Sequence, residues 1–268
     1  IGFGTYRLGS NEKESELDTI RYGIDHYGMT LLDTAQMYGD GLSEKILGEA
    51  IRGYDRKKLF VVDKILPDNA RKGLYLESCR KSLQLLGTDY IDLYLLHWRG
   101  GTDLQDMVDN MERLVSMGLI RHWGVSNFDT EDMEELLSCE KGENCFCDQI
   151  LYNICCRGVE YDLVPWCKAH DVMVMAYSPL CNSREARHKV TGDELIRRIS
   201  QDEQKSPESF ILSFVVRNKD VATVFKTSSV PHLISNMKNV FVPIGDDDMN
   251  KLESNYKAPV KKCPLEKI

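Results

Sequence analysis

The chain has 268 residues, 42% hydrophobic and 28% charged, with a formal net charge of −8 and a pI near 5.4. These values are ordinary for a soluble globular protein. The acidity argues against nucleic acid or an anionic membrane as partner, because both need a basic face. No apolar run approaches the roughly 20 residues needed to span a bilayer. Nothing resembles a signal peptide, and a few residues are expected to precede Ile1, which already lies in a strand-like segment. Nine cysteines fit reduced thiols in a cytoplasmic protein better than a disulfide framework. Cys79, Cys139, Cys155, Cys156 and Cys167 are expected inside helical or strand patterns, and Cys263 is expected to be inert. Cys145 and Cys147 have the wrong spacing for a zinc knuckle, so no metal is expected.

In chain order, Ile1–Phe3 reads as a strand ended by Gly4-Thr5. Glu12 to Tyr27 reads as a helix, with Leu17, Ile20 and Ile24 on one face. Leu31–Asp33 is a strand. Ser43 is expected to cap a helix through Ile46, Leu47 and Ala50 that Gly53 ends. Leu59–Ile65 is a strand, Arg71–Leu86 a helix closed by Gly87, and Tyr90–His97 a strand. Leu104–Met117 is a helix closed by Gly118. Ile120–Val125 is a strand, and Asp129 caps the helix through Leu137. Phe146–Tyr152, Tyr161–Ala169 and Val172–Ser178 continue the alternation. A polar loop follows Pro179, then helices at Asp193–Asp202 and Pro207–Arg217, a strand at Ala222–Lys226, and helices at Pro231–Lys238 and Asp246–Ser254. Eight strand–helix units predict a parallel sheet with helices outside. No G-x-G-x-x-G opens a helix after the first strand, so the Rossmann signature is absent. The expected fold is an α/β (β/α)8 barrel, a TIM barrel, with residues 1–268 as one domain.

Several apolar runs end in polar side chains able to do chemistry. Asp33 closes one run with Tyr38 just beyond, Lys64 follows Asp63 at the end of another, His97 ends a third, and Ser126-Asn127 ends a fourth. Taken singly, each has an ordinary reading as a cap, a turn residue or a hydrogen-bonded core group. In a (β/α)8 barrel, catalytic groups come from the C-terminal ends of different strands. A tyrosine hydroxyl titrates near 10, too high for easy proton donation to a carbonyl at neutral pH. A neighbouring ammonium favours the phenolate and lowers that value. Lys64 can supply the ammonium, Asp33 can partner Lys64, and His97 can hydrogen-bond a substrate oxygen. The set reads as a tuned general acid with an orienting group.

The motifs in order resemble those of the aldo-keto reductases. Gly2-Phe-Gly-Thr-Tyr6 resembles the first-strand motif, Leu32-Asp-Thr-Ala-Gln-Met-Tyr38-Gly the D-T-A-x-x-Y-G segment, and Leu42 to Ala50 the helix that follows. Ile91 to Trp98 resembles the histidine strand. Gly124-Val-Ser-Asn-Phe128, Asp148-Gln149 with Tyr152-Asn153, and Ala176-Tyr-Ser-Pro-Leu180 match three further signatures. The resemblance covers essentially the whole chain. It implies an NADPH-dependent oxidoreductase that reduces a carbonyl by hydride transfer, with Tyr38 as proton donor, Asp33 and Lys64 tuning it, and His97 placing the carbonyl. It further implies that Ser126, Asn127 and Gln149 hold the nicotinamide carboxamide and that Tyr177 stacks on its ring. Gly4, Thr5, Ser178 and Leu180 are implied as further cofactor contacts.

At the far end of the cofactor, the resemblance implies that Lys226 meets the 2′-phosphate with Thr227 and Ser228. The helix near Pro231 aims its positive end there, and Asn236 contacts the adenine. Phe225 stands where the family usually has proline, and His232 where many members have arginine, which gives up a permanent charge and a fork geometry. Asp63 replaces a small hydroxyl residue. Strand alternation should point it away from the barrel interior, with little effect on Tyr38. Tyr6 and Trp98 are expected to flank the carbonyl. The loop after Leu180 and the tail after Tyr256 are short, which suggests an open site for small aldehydes. Arg157-Gly-Val-Glu-Tyr-Asp-Leu with Pro165-Trp-Cys resembles short prokaryotic members that reduce methylglyoxal-like 2-oxoaldehydes; diketo-sugar acids remain an alternative substrate class. A channel-associated, cofactor-binding regulatory subunit is the rival reading, and the complete Asp33, Tyr38, Lys64, His97 set counts against it. The chain is expected to act as a monomer on a small-molecule carbonyl.

Overall fold

Short apolar runs alternate with amphipathic stretches, and in the computed structural model, which describes residues 1–268, eight of those runs form one closed parallel barrel. The strands are β1 (Gly2–Gly4), β2 (Leu31–Asp33), β3 (Phe60–Ile65), β4 (Ile91–Leu96), β5 (Ile120–Ser126), β6 (Cys145–Leu151), β7 (Met173–Tyr177) and β8 (Val221–Phe225). Each pairs with the next in sequence, and Phe3 against Phe225 closes β1 on β8. The (β/α)8 fold expected from the alternation is the one observed.

The barrel has two apolar layers because successive strand side chains point to opposite faces. Val62, Leu93, Leu95, Cys147, Met175 and Val224 pack together inside it. Their neighbours along the same strands, such as Val61, Ile65, Tyr94, Leu96 and Ile150, belong to the larger cluster beneath the helices. Two residues beyond the inner positions of β3, β4, β6, β7 and β8 come Lys64, His97, Gln149, Tyr177 and Lys226. In β2, Asp33 stands two beyond Leu31, which packs against the same inner cluster. One alternation rule therefore sends these polar groups to the same mouth of the barrel. Asp63 obeys it too: it is buried on the outer face, as expected.

Gly124 allows β5 and β6 to approach closely. A Cβ there would lie 2.3 Å from the carbonyl oxygen of Cys147, and the register shifts between Trp123 and Val125. That approach sets Ser126 beside Gln149.

The helices outside are α1 (Lys13–Tyr27), α2 (Leu42–Ala50), α3 (Pro67–Ala70), α4 (Tyr75–Leu86), α5 (Leu104–Ser116), α6 (Thr130–Ser138), α7 (Leu163–Ala169), α8 (Arg184–Gly192), α9 (Glu194–Asp202), α10 (Pro207–Val216), α11 (Val230–Met237) and α12 (Asp246–Asn255). Asp129 caps α6 in a capping box with Asp132, and Gly87 ends α4 in the left-handed region, both as their residue types predict.

Four local expectations are corrected. Ser43 does not cap α2: Gly41 precedes that helix, and the Ser43 hydroxyl donates instead to the Thr5 carbonyl at 3.1 Å. The helix expected over Arg71–Leu86 begins only at Tyr75, as α4, because Arg71 is extended and Gly73 has φ +94°; the short α3 precedes it. The polar stretch after Pro179 contains α8, capped by Ser183. Cys155 and Cys156 lie in a turn after β6 rather than in a regular element, and Cys139 only ends α6. All nine cysteines are free thiols. No helix is long and apolar enough to cross a membrane.

Candidate active site

Lys64 is the hub. Its ammonium donates to Asp33 Oδ1 at 2.7 Å, to the Thr34 carbonyl at 2.8 Å and to the Tyr38 hydroxyl at 3.4 Å. Lys64 and Asp33 are both buried, so neither charge is affordable without the other. Burial opposes the ammonium, but Asp33 and Tyr38 outweigh it and Lys64 titrates above its ordinary value. The expected lowering of Tyr38 is not the net result. Loss of solvent around its hydroxyl raises the pKa, and Lys64 offsets only part of that rise.

The His97 and Tyr38 rings stand edge to face with centroids 5.7 Å apart. Burial, with Lys64 adding repulsion, lowers the His97 pKa to about 3, so the imidazole is neutral at physiological pH. Its Nδ1 is buried and has no hydrogen-bond partner. A buried polar atom without a partner costs free energy. Tyr6 packs edge-on to Tyr38 at 5.2 Å, and Trp98 lies 5.1 Å from the His97 ring. Tyr6 is 51% exposed and Trp98 37%; both stand at the rim, where a small substrate would enter.

The second group sits on β5, β6 and β7. Ser126 donates to the Gln149 carbonyl at 2.7 Å. Asn127, held at φ +62°, donates through Nδ2 to the His97 carbonyl at 3.2 Å and to Ser126 Oγ at 3.1 Å. Its Oδ1 accepts from the Tyr177 hydroxyl at 2.7 Å. Gln149 Nε2 donates to Asp33 Oδ1 at 2.7 Å. That bond joins the two sets expected to act separately, and nothing in the sequence signals it, because the residues are 116 positions apart.

The flanking positions divide between backbone and side chain. Gly4 faces the Phe225 and Lys226 backbone. Thr5 is buried with Oγ1 unpartnered. Ser178 has φ +51°, and its carbonyl accepts from Asn153 Nδ2 at 3.0 Å. The Leu180 side chain is in the core, so only its backbone faces the loop. The tail is less remote than its length suggested: Leu265 packs on the core. Arg157 explains its own motif structurally. Buried at the turn after β6, it pairs with Glu160 at 2.5 Å and with Glu253 of α12 at 2.9 Å.

At the far end of the mouth, Lys226, Thr227 and Ser228 follow β8 and lead into α11. The α11 N-terminus carries no side-chain cap, so the Val230 and His232 N–H groups are available to an anion, while Pro231 between them has none. His232 is exposed and Asn236 buried on that helix. The sequence reading missed Glu16, which lies wholly buried behind this group and 3.7 Å from the Lys226 ammonium. It also missed a buried pair outside the barrel, Asp63 with Glu44.

Comparison with known proteins agrees with this geometry. The Aldo/keto reductase family model matches residues 1–257, and the chain belongs to that family. It is 37% identical to "Methylglyoxal reductase YeaE" of Escherichia coli over 270 residues, covering 100% of this chain and 94% of that one. It is 27% identical to the "Glyoxal reductase" of Bacillus subtilis, covering 95% of this chain and 87% of that protein. An aldo/keto reductase from Klebsiella pneumoniae, solved in complex with NADP and acetate, superposes with a TM-score of 0.96 at 39% identity and covers 100% of this chain and 94% of its own.

Proposed function

We propose that this protein reduces small aldehydes, with 2-oxoaldehydes of the methylglyoxal type as the favoured class, using NADPH. The observation that carries the reading is the Lys64 ammonium, held by Asp33 at 2.7 Å and touching the Tyr38 hydroxyl at 3.4 Å beside a neutral His97. The bound nicotinamide supplies the hydride. Tyr38 gives its proton to the substrate oxygen, Lys64 stabilises the phenolate left behind, and His97 donates a hydrogen bond that fixes the oxygen between them. Ser126, Asn127 and Gln149 offer the carbonyl, hydroxyl and amide groups that a carboxamide needs, and Tyr177 offers a ring face. Lys226 and the uncapped start of α11 suit a phosphate. The names of the relatives support the substrate class. The reading takes residues 1–268 as one unit working in the cytoplasm as a monomer.

The test is NADPH oxidation followed at 340 nm across methylglyoxal, glyoxal, simple aldehydes and a diketo-sugar acid, with NADH in parallel. Turnover is expected with the 2-oxoaldehydes first. Tight NADPH binding without turnover on any carbonyl would establish the regulatory-subunit reading instead, and a preference for the sugar acid would move the substrate class.

A further inference from the structure

The charge chemistry at the start of α11 is not that of a simple cation pocket. Glu16, in the first turn of α1, is fully buried. One oxygen, Oε2, accepts from the Gly9 backbone N–H at 2.6 Å. The other, Oε1, accepts from Asn11 Nδ2 at 3.1 Å and from the Ser228 hydroxyl at 3.4 Å, and lies 3.7 Å from the Lys226 ammonium. Asn11 also donates to Ser228 Oγ at 3.0 Å, and Lys226 donates to the same oxygen. Ser15 ties the loop further by donating to the Ser228 carbonyl at 3.1 Å.

Two consequences follow from elementary electrostatics. A carboxylate 3.7 Å from the ammonium offsets part of the attraction of Lys226 for an anion bound just beyond it. The Ser228 hydroxyl, accepting from two donors, directs its own proton to Glu16 and so has none to give a ligand. A phosphate bound at Lys226 would meet a compensated cation, a committed hydroxyl and a fixed negative charge behind both. A ribose hydroxyl, being neutral, would lose nothing. The other nearby cation is Arg7, exposed with its guanidinium over the Tyr6 ring and near enough to repel the Lys226 ammonium.

We propose that Glu16 is a positioning residue for cofactor selection. It holds Lys226 and Ser228 from beneath, offsets the lysine charge, and so narrows the preference for a nucleotide carrying a 2′-phosphate over one with a free 2′-hydroxyl. This rests on the reading that Lys226 and Ser228 face the cofactor's 2′ position, and it makes the chain a reductase able to use both NADPH and NADH.

The experiment uses equilibrium binding, without turnover. Dissociation constants are measured by calorimetry for adenosine 2′,5′-bisphosphate and 5′-AMP, and by fluorescence quenching for NADPH and NADH. In the wild type the bisphosphate is expected to bind more tightly than AMP by less than about thirtyfold. In Glu16→Gln, which keeps an acceptor for the Gly9 N–H, that ratio is expected to rise on the order of tenfold through tighter bisphosphate binding, with AMP within about twofold of wild type. In Glu16→Gln/Lys226→Met the gain should disappear. A purely structural role would instead weaken both ligands together, and that result, or an unchanged ratio, overturns the proposal while leaving the NADPH reading in place. Failure of the wild type to bind either dinucleotide removes the cofactor reading and this inference with it. If Glu16→Gln does not fold, the wild-type ratio decides: a value above about thirtyfold refutes the compensated pocket.

Discussion

The two ends of the barrel mouth are built differently. At the β2–β4 end, Asp33, Lys64 and His97 project from strand ends into a buried space, with Asp33 and Lys64 directly bonded and the His97 ring packed on Tyr38. At the β8 end, Lys226, Thr227 and Ser228 sit on a connecting loop, and the Lys226 side chain keeps 23% of its exposure. The first end cannot change without unsettling the fold, because each charge there is balanced by another inside low dielectric. The second can change at the cost of affinity alone. That difference matches where the sequence departs from the family pattern: the residues proposed for proton transfer are complete, while Phe225 and His232 fall beside the loop.

Lys64→Met should break this comparison most sharply. It strands the Asp33 carboxylate, which then keeps only Gln149 among its side-chain donors. Stability should fall by about 3–5 kcal/mol in urea unfolding, and turnover should be lost. Tyr38→Phe separates chemistry from stability. Turnover should drop by roughly 100-fold or more with cofactor affinity near wild type, and an unchanged rate would remove Tyr38 from the mechanism.

The acid limb of stability tests His97. Its folded pKa, about 3, lies below the unfolded value, so its contribution is complete above roughly 6.5 and is lost as pH falls toward 3. His97→Gln should flatten that limb by up to about 1.4 kcal/mol per pH unit in denaturant midpoints taken across pH 3–7. Asp63 acts in the opposite direction. Burial, then repulsion from Glu44, raises its pKa well above the ordinary carboxylate value. The folded state therefore keeps a proton that the unfolded chain releases. Stability from this source is complete at low pH and declines as pH rises through the folded pKa. Asp63→Asn should remove that decline, and an identical stability–pH curve would contradict it. The smallest effect belongs to the β8 end: Lys226→Met should weaken NADPH binding by about tenfold, with NADH and the melting temperature nearly unmoved.

Much of the proton-transfer end was legible because strand alternation and residue type coincide there. A run such as Leu93, Leu95, His97 announces both its face and its end. The link from Gln149 to Asp33 was not legible, since only barrel closure brings β2 and β6 across the same interior. Glu16 was hidden for a related reason. In sequence it is one acidic residue in the first turn of a helix, an ordinary place for a solvated carboxylate, and only the packing of α1 beside α11 buries it. The late start of α4 turned on backbone angles at Arg71 and Gly73 that the helical periodicity around them concealed.

By itself the sequence determined the parallel barrel, the family, and which side chains end the strands, because periodicity and motif order are local properties of the chain. Only the tertiary structure decided which charges are compensated and by what. Burial and distance set the net rise at Tyr38, the neutral His97, the Asp63–Glu44 pair and the carboxylate behind Lys226, and both quantities depend on residues far apart in the chain.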